Sequence, residues 1–215
     1  TLTAGPTREA IDPVRFISNH SSGKMAYALA AEAVQAGAQV TLISGPVNLT
    51  APDRVELVKV TTAQEMLDAS LAAVTDTDVF IGVAAVADYR VSESSDHKIK
   101  KTAETLQLTL VRNPDIIGTV AALPERPFVV GFAAETRDVV EYGRDKLKRK
   151  GLDLLFANDA TATFNSDSIA ATAIWSAGNS EDHQELGPAN KHLVARQMLM
   201  LIRQRLDANK PETAQ

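Results

Sequence analysis

A short polar loop that runs into a helical pattern is the first candidate for chemistry in this sequence. Ser21, Ser22 and Gly23 directly precede an Ala-rich stretch that starts at Lys24. The first N–H groups of a helix have no partner within the helix, and the helix dipole is positive at that end. Together with two hydroxyl groups, these features are typical of a phosphate-binding site. A serine that only caps the helix explains the same pattern equally well.

This loop matches neither of the two common nucleotide loops. A P-loop needs a glycine five residues before its second glycine and a Ser or Thr after its lysine, but Ser18 and Met25 occupy those positions. The turn after the first predicted strand reads AGPTRE and lacks the GxGxxG of dinucleotide-binding folds. The sequence therefore indicates an anion site of another kind.

Two clusters of basic residues stand out in an acidic chain. Lys98, Lys100 and Lys101 lie within KIKK, and Lys146 and Lys150 lie four residues apart in a helical pattern. Residues i and i+4 share one helix face, so both ammonium groups can reach one polyphosphate. Runs of this kind are often solvated surface. A triphosphate that contacts both clusters is the functional interpretation.

The same helical pattern also permits an oxidoreductase. Tyr142 and Lys146 have the Tyr-x-x-x-Lys spacing of short-chain dehydrogenases, in which the ammonium assists the phenol as an acid. The glycine-rich turn that accompanies this pair is missing. An NADP-dependent oxidoreductase that uses Tyr142 and Lys146 is therefore the alternative hypothesis, and a nucleotide-sensing module without chemistry is a third.

Acidic side chains near the ends of predicted strands offer places for a divalent cation. These residues are Asp88, Asp115, Asp159 and Asp167. Carboxylates that share Mg²⁺ with phosphate oxygens are a common arrangement. The four histidines are scattered and cysteine is absent, so a transition-metal site is not indicated. The sequence does not identify which residues bind the metal.

Apolar runs alternate with helical patterns, which predicts an α/β fold with a Rossmann-like, mostly parallel sheet flanked by helices. The predicted strands are Leu2–Ala4, Gln39–Ser44, Val55–Val60, Val79–Ala84, Phe128–Ala133 and Leu154–Ala157. The predicted helices are Lys24–Ala36, Ala63–Val74, Asp115–Ala122, Val139–Lys150 and Lys191–Leu206. Ligands of open α/β sheets bind beyond the carboxyl ends of the strands. Polar stretches such as AVADYR and NDATATFNSD follow those ends, which indicates a nucleotide-sized site.

Two segments depart from this alternation. Residues 89–111 are polar and basic, and we expect them to form a flap that closes over an anion. The stretches SIAATAIWSAG and HQELG predict a small antiparallel hairpin at the C-terminal edge of the sheet. We expect residues 1–215 to form a single domain that contains this flap.

Composition and charge exclude several classes of function. The net charge of −5 argues against a nucleic-acid-binding protein or a protein that binds anionic membranes. No apolar run approaches the roughly 20 residues that span a bilayer, and we expect no secretory signal. Without cysteine, the chain is expected to be cytoplasmic. Because the sequence begins at Thr1 in a strand pattern, we expect a piece of a longer polypeptide.

An ordered set of motifs resembles phosphopantothenoylcysteine synthetase, the C-terminal half of the bacterial bifunctional coenzyme A biosynthesis protein. The matching stretches are TAGPTREAIDPVRFISNHSSGKM, AAVADYR, KIKK, NPDI, GFAAET, KLKRK and FANDATATFNSD. They follow the family's order and are spread over most of the chain. Ala26 departs from the family pattern, which usually has glycine after SSGKM.

The resemblance implies a CTP-dependent ligase. The carboxylate of 4'-phosphopantothenate attacks the α-phosphate of CTP to give an acyl-cytidylate and pyrophosphate, and the amine of cysteine then expels CMP. The resemblance also implies Mg²⁺ as cofactor and a homodimer in which the flap of one subunit reaches toward its neighbour's site. In the full-length protein it implies fusion to a flavin-dependent decarboxylase.

The resemblance further implies roles for individual residues. Lys98 opens KIKK and matches a flap lysine that contacts CTP and takes part in the chemistry, while Asn19 matches an asparagine that handles the acyl-cytidylate. The other matches are expected to contact the nucleotide, and they are Gly82, Val83, Ala84, Asp88, Asn113, Pro114, Asp115, Ile116, Phe132, Lys146 and Lys150. Ser21 is also expected to contact the nucleotide, because it lies at the predicted start of a helix, where a phosphate can bind. This expectation comes from the residues themselves and not from the resemblance.

Overall fold

An eight-stranded sheet forms the middle layer of the protein, as a computed structural model shows. The structure describes residues 1–101, 104–135, 138–159, 168–176 and 183–209. The strands in these ranges are β1 (Leu2–Ala4), β2 (Arg8–Ala10), β3 (Phe16–Ser18), β4 (Val40–Ser44), β5 (Val55–Lys59), β6 (Val79–Gly82), β7 (Tyr89–Val91), β8 (Leu110–Arg112), β9 (Phe128–Glu135), β10 (Leu154–Asp159), β11 (Ser168–Trp175) and β12 (His183–Asn190). The helices are α1 (Lys24–Gln35), α2 (Ala63–Ala73), α3 (Ile116–Ala121), α4 (Val139–Lys150) and α5 (Lys191–Ala208), and a 3₁₀ turn (Val74–Asp76) follows α2.

The order of the strands locates the functional edge of the sheet. They lie in the order β12-β11-β10-β9-β6-β1-β4-β5, and the strands from β10 to β5 pair in parallel. Chain order therefore runs outward in both directions from β1 and β6, which are neighbours. Where the strand order reverses in this way, a crevice opens beyond the carboxyl ends of the two central strands. The fold class predicted from the sequence is confirmed.

Alternating burial explains why the central strands lie between two layers of helices. In β10, Leu154 and Phe156 pack into the core on the side of α1 and α5, whereas Leu155 and Ala157 pack into the core on the side of α2, α3 and α4. Successive side chains of a strand point to opposite faces, so a strand that is apolar throughout must be covered on both sides. The long apolar runs of the sequence follow from this burial.

The described helix starts show how local sequence fixes the element boundaries. The hydroxyl of Thr62 accepts from the Glu65 N–H at 3.1 Å, and the Glu65 carboxylate accepts from the Thr62 N–H at 3.3 Å. This reciprocal pair is a capping box, and it fixes the start of α2.

No helix in the described part of the chain is both long enough and apolar enough to cross a membrane.

Two short ribbons were not predicted from the sequence. Strands β2 and β3 pair with each other directly after β1, and β7 pairs with β8. The second ribbon joins the two ends of residues 89–111, so these ends lie side by side. Strands of three residues carry little periodicity, and these four are wholly or partly exposed, unlike the buried strand β1 that was predicted. That residues 1–215 form one domain, with 89–111 as its flap, stays a prediction.

The C-terminal hairpin is confirmed as an antiparallel addition to the sheet. Strand β11 pairs antiparallel with β10 and with β12, and its register shifts between Ile169 and Ala171. Strand β12 runs three residues beyond the predicted HQELG and leads directly into α5. The turn at 177–182 and the tail at 210–215 lie outside the described residues.

Candidate active site

The loops that leave β1 and β6 are joined by hydrogen bonds at the point where the strand order reverses. The Ala85 N–H donates to the Gly5 carbonyl at 2.9 Å, and the Ala87 N–H donates to the hydroxyl of Thr7 at 2.9 Å. Thr7 is completely buried. Because these bonds involve mainly the backbone, they fix the floor of the crevice without using the side chains that face a ligand.

Two clefts flank this floor. The α4-side cleft, of about 670 Å³, is bounded by the loop after β6, the start of α3 and one face of α4. The α1-side cleft, of about 620 Å³, contains the start of α1. Both clefts are lined by Ala84, Ala85 and Phe132, so these three residues form the junction between them.

The α4-side cleft gathers most of the residues that the resemblance assigns to the nucleotide. Those residues are Gly82, Ala84, Asp88, Asn113, Pro114, Asp115, Ile116, Phe132, Lys146 and Lys150. Val83 lies instead in the α1-side cleft, next to the junction. Four chain segments that are far apart in sequence therefore meet in one place, which sequence reasoning alone could only suggest.

Lys146 and Lys150 of α4 are held in defined positions. The Lys146 ammonium donates to the Phe132 carbonyl at 2.9 Å, and the Lys150 ammonium lies 2.8 Å from a carboxylate oxygen of Asp115. The same Asp115 oxygen accepts from the Gly118 N–H at 3.2 Å, which caps α3. The predicted i, i+4 face of α4 is thus directed toward the junction and the start of α3.

Arg149 is a third cation in the α4-side cleft that the sequence argument missed. It lies three residues after Lys146, so it falls on the same helix face. The signal was present in KLKRK, where every residue except the leucine is basic. Three cations on one face of α4 make this side of the crevice suited to a polyanion.

The side chain of Asn113 is engaged at both of its ends. Its amide nitrogen donates to the Ala87 carbonyl at 2.8 Å, and its amide oxygen accepts from the Arg90 guanidinium at 3.1 Å. Arg90 also donates to the Arg112 carbonyl at 2.8 Å. In this arrangement Asn113 ties the start of α3 to the loop after β6. Sequence reasoning did not single out Arg90, since a lone exposed arginine gives no signal.

The start of α1 faces the α1-side cleft without a side-chain cap. Helix α1 begins at Lys24, and its N-cap is Gly23 with φ of 73°, a left-handed conformation that favours glycine. The Gly23 N–H donates to the Ser21 hydroxyl at 3.3 Å, and no described side chain caps the helix. The serine-cap alternative is therefore wrong, and the residues at the start of α1, from Gly23 to Ala26, line the cleft. Ser21 lies in this cleft, apart from Lys146 and Lys150.

Asn19 is positioned by the β2–β3 ribbon. It directly follows β3, and its amide nitrogen donates to the Val86 carbonyl at 2.9 Å. The Ser18 hydroxyl donates to the Thr7 carbonyl at 2.6 Å, which fixes the end of the strand. Asn19 is thereby placed beside the loop after β6. Its partner Val86 directly follows the junction residue Ala85 in the chain.

Lys98 lies outside both clefts and is exposed. Its neighbour Ile99 is held through both backbone groups, because the Ile99 N–H donates to Asp12 at 3.1 Å and the Arg15 guanidinium donates to the Ile99 carbonyl at 3.0 Å. The Arg15 guanidinium holds the pKa of the Asp12 carboxyl well below its ordinary value, and backbone N–H groups of Val14 and Ile99 act in the same direction. Burial opposes this shift and is outweighed.

The described residues contain no group of three or more His, Asp and Glu side chains that forms a metal site. Asp88 is exposed at the α4-side cleft, and Asp115 is paired with Lys150. The side chain of Asp159 and the whole of Asp167 lie outside the described residues. A single carboxylate fits Mg²⁺ bound mainly by phosphate oxygens and water, which is how Mg²⁺ commonly accompanies nucleotides.

Tyr142 and Lys146 both line a surface depression on α4, but only Lys146 also lines the α4-side cleft. Tyr142 is 53% exposed and is not among the residues that line the α4-side cleft. Lys146, by contrast, faces that cleft and donates to the Phe132 carbonyl. The two side chains therefore do not face one ligand at the crevice, and the geometry does not favour the alternative hypothesis.

The family of the chain follows from its match to known sequences. The model for the "DNA/pantothenate metabolism flavoprotein C-terminal domain" matches residues 1–206. The chain belongs to this family. Among similar members, the coenzyme A biosynthesis bifunctional protein CoaBC of Vibrio vulnificus is 56% identical over 183 residues, and that of Escherichia coli K12 is 55% identical over 185 residues. These alignments cover 82% and 83% of this chain, and the chain spans about half the length of each relative, 46%.

Solved structures of this family share the fold. The crystal structure of the C-terminal domain of a CoaBC protein has a TM-score of 0.82 and 39% identity, and the match covers 97% of this chain and 95% of that one. A more distant Cab2 variant, solved with phosphopantothenate-cysteine, has a TM-score of 0.80 at 17% identity, with 96% of this chain and 85% of that chain covered. The distant match supports the fold alone.

Proposed function

We propose that this chain is a CTP-dependent phosphopantothenate–cysteine ligase. It would join 4'-phosphopantothenate to cysteine through an acyl-cytidylate, and release pyrophosphate and then CMP. The observation that carries the proposal is the pair of clefts that meet at Ala84, Ala85 and Phe132. Such an arrangement suits a reaction in which two substrates bind on opposite sides and react at one point. Family membership and the CoaBC relatives support the same conclusion.

In this proposal CTP occupies the α4-side cleft. The triphosphate lies against Lys146, Arg149 and Lys150, whose charges compensate its own. The base lies toward the start of α3, where backbone groups of residues 113–116 read its edge. Because Asn113 is engaged by Ala87 and Arg90, we assign its side chain to support rather than to base reading.

The acid substrate occupies the α1-side cleft. The uncapped start of α1, with the hydroxyl of Ser21 nearby, is suited to the phosphate of 4'-phosphopantothenate. The proposal thus assigns Ser21 to the phosphate of the acid, whereas the sequence argument had placed it on the nucleotide. With its phosphate held there, the substrate extends its carboxylate toward the junction, where the α-phosphate of CTP arrives from the other side.

The first step moves negative charge onto phosphate oxygens. A carboxylate oxygen attacks the α-phosphorus, the bond to the bridging oxygen breaks, and pyrophosphate leaves with the electron pair. Lys146 and Lys150 stabilise this charge where it develops. Electrostatic stabilisation of this kind is usually the largest single contribution to catalysis. Lys98 is assigned to the same charge. Mg²⁺, bound by phosphate oxygens with Asp88 as the candidate protein ligand, supplies further charge compensation when present.

The second step uses Asn19. The amine of cysteine attacks the acyl carbon, CMP leaves, and the amine loses a proton. Asn19 lies beside the loop after β6 through its bond to the Val86 carbonyl. An amide in that position holds the acyl group in place while the amine attacks, so its contribution is orientation.

Exposed apolar residues on the two ribbons support a homodimer. Along the β2–β3 ribbon, Val14 and Phe16 are 59% and 49% exposed, and Tyr89 on β7 is 43% exposed. Leu110 and Val111 on β8, and Leu106 and Leu108 in the segment before it, are exposed as well. A patch of this kind on a monomer indicates an interface.

The proposal also includes a cytoplasmic location and fusion to a flavin-dependent decarboxylase in the full-length protein.

The deciding experiment measures pyrophosphate release from the purified chain. We expect release only when CTP, Mg²⁺ and 4'-phosphopantothenate are all present, and formation of 4'-phosphopantothenoylcysteine, detected by mass spectrometry, when cysteine is added. Release with CTP alone would indicate a hydrolase, and CTP binding without release would indicate a sensor. Fluorescence titration with NADPH should show no binding, and saturable binding would revive the oxidoreductase hypothesis.

A further inference from the structure

The buried carboxylate of Asp12 is the most heavily bonded acidic group that the proposed mechanism does not use. Its side chain has no solvent exposure, although it sits in a turn between two exposed strands. It accepts from the N–H groups of Val14 and Arg15 at 2.9 Å each, from the Arg15 guanidinium, and from the Ile99 N–H at 3.1 Å. A carboxylate that is buried and fully bonded holds its partners in one geometry.

The partner that matters for function is Ile99. Its N–H is bound by Asp12, and its carbonyl is bound by the Arg15 guanidinium at 3.0 Å, so both backbone groups of one residue are gripped. A second tether lies four residues earlier, where the Ser95 N–H donates to the Ile11 carbonyl at 3.0 Å. Residues 95–99 are therefore attached at both ends to the turn between β2 and β3.

Lys98 lies within this attached segment. Consecutive Cα atoms are about 3.8 Å apart, so a fixed Ile99 leaves the backbone of Lys98 little freedom. The side chain of Lys98 is exposed and keeps its reach. The attachment thus fixes the starting point of the ammonium group and leaves its end mobile.

The β2–β3 ribbon connects this attachment to the other candidate catalytic residue. Its turn carries Asp12, and its last strand leads directly into Asn19. The ribbon itself is fixed to the main fold, because the buried carboxylate of Glu9 accepts from the Ala63 N–H at 2.9 Å at the start of α2. One rigid ribbon therefore supports Asn19 at one end and the Lys98 segment at the other.

We propose that Asp12 is a positioning residue that acts on the reaction through Lys98, by gripping the backbone of Ile99. This inference rests on the proposed ligase function and on the role of Lys98 in its first step. A positioning role differs from a purely structural one in its consequence. If Asp12 acts through Lys98, replacing Asp12 should no longer affect turnover when Lys98 is absent.

The test is a double-mutant cycle with Asp12→Asn and Lys98→Gln. Asparagine has the shape of aspartate, and its oxygen still accepts the two N–H groups of the turn. Its NH₂ group, however, then faces the Ile99 N–H and the Arg15 guanidinium, so donor meets donor. We expect Asp12→Asn to lower the rate constant of pyrophosphate release about 10- to 100-fold, the range for a small misplacement of a catalytic group. The KM for CTP should change by less than about 3-fold, because Asp12 is not among the residues that line the α4-side cleft.

In the Lys98→Gln background, Asp12→Asn should change the rate by less than about 2-fold. The matched control is Asp153→Asn, a carboxylate outside the ribbon that likewise accepts from an arginine, Arg126, and from a backbone N–H, that of Val129; its effect should be the same with and without Lys98. Equal losses from Asp12→Asn in both backgrounds would overturn the proposal, as would a folded Asp12→Asn protein with unchanged turnover. If Asp12→Asn does not fold, Ser95→Pro removes the second tether and should show the same dependence on Lys98.

Hydrogen exchange separates failure of this inference from failure of the proposed function. In wild-type protein the Ile99 amide should exchange slowly, and in Asp12→Asn about 10-fold or more faster, whatever reaction the protein catalyses. A wild-type protein that releases no pyrophosphate but protects Ile99 refutes the ligase function and leaves the grip intact. If the Ile99 amide exchanges equally fast in wild type and in Asp12→Asn, the hydrogen bond from Asp12 does not hold Ile99, and the inference is refuted.

Discussion

Replacing Lys150 by methionine should weaken the use of CTP with little effect on the fold. Lys150 lies in the α4-side cleft with its side chain 23% exposed, and its ammonium is fixed 2.8 Å from Asp115. Methionine keeps the length and helix propensity of the side chain while it removes the charge. The change therefore isolates the contact between this ammonium and the triphosphate.

The expected size follows from the contact that is lost. A hydrogen bond to a charged group contributes about 1.5–3 kcal/mol. Because Lys150 keeps some contact with solvent, we take the lower part of this range, about 1.5–2 kcal/mol. Since about 1.4 kcal/mol corresponds to a factor of ten, the KM for CTP should rise about 10- to 30-fold.

Asp115→Asn gives the opposite prediction from the same pair. Asparagine is as good an N-cap as aspartate, so α3 keeps its cap. Removing the charge releases Lys150 from an ion pair whose acid is 52% exposed, a pair that contributes about 0.2–1 kcal/mol. The KM for CTP should therefore fall by up to about 5-fold.

Both variants are assayed by initial rates of pyrophosphate release at saturating 4'-phosphopantothenate, with CTP varied. Lys148→Met is the matched control, because it removes the same charge from the same helix at an exposed position outside the α4-side cleft. The reasoning is refuted if Lys150→Met and Lys148→Met have equal effects. It is also refuted if Asp115→Asn weakens CTP as much as Lys150→Met, since the carboxylate itself would then contact the nucleotide.

Three further predictions concern the supports of the site. A Cβ at Gly45 would lie 1.8 Å from the Pro6 carbonyl oxygen, so Gly45→Ala should cost at least about 1–3 kcal/mol and lower Tm by several degrees in calorimetry; an unchanged Tm would contradict the close approach. Arg90→Met should raise the KM for CTP more than that for 4'-phosphopantothenate, because it removes the support of Asn113; equal changes in both KM values would contradict this. The pKa of Asp12 in the folded state lies below its ordinary value of 3.8. The ionised carboxylate therefore stabilises the fold above about pH 4, and this stabilisation is lost as the pH falls further. The Tm difference between wild type and Asp12→Asn should therefore be constant from about pH 7 to 5 and shrink as the pH falls below about 4, and a difference that is the same at pH 5 and pH 2 would contradict the assignment.

The sequence predicted the sheet and its helices because the signals there are strong. Runs such as Leu154–Ala157 are apolar throughout, and the capping box of Thr62 and Glu65 marks a helix start. The observed ends of the predicted elements differ from the predicted ends by two residues or fewer for most of them. Long periodic segments carry enough information to fix their type, and their ends depend on caps and neighbours.

The site was predicted in composition but not in arrangement. Ser21 and Lys146 were expected to contact one polyphosphate, yet they lie in two different clefts. Whether a residue faces one side of a sheet or the other depends on strand order, which the sequence does not display. The β2–β3 ribbon was missed for a related reason, because its position depends on long-range contacts, such as that between Asp12 and Ile99, rather than on any local pattern.

The junction between the clefts has a consequence for how this family can diversify. Among the described residues only Ala84, Ala85 and Phe132 line both clefts, so in the proposed function the residues around the base and those around the acid are almost entirely separate sets. Substitutions around the start of α3 can therefore change the preferred nucleotide over evolutionary time while the surroundings of α1 stay the same. Descendants of this fold are free to exchange one substrate for another without rebuilding the rest of the catalyst.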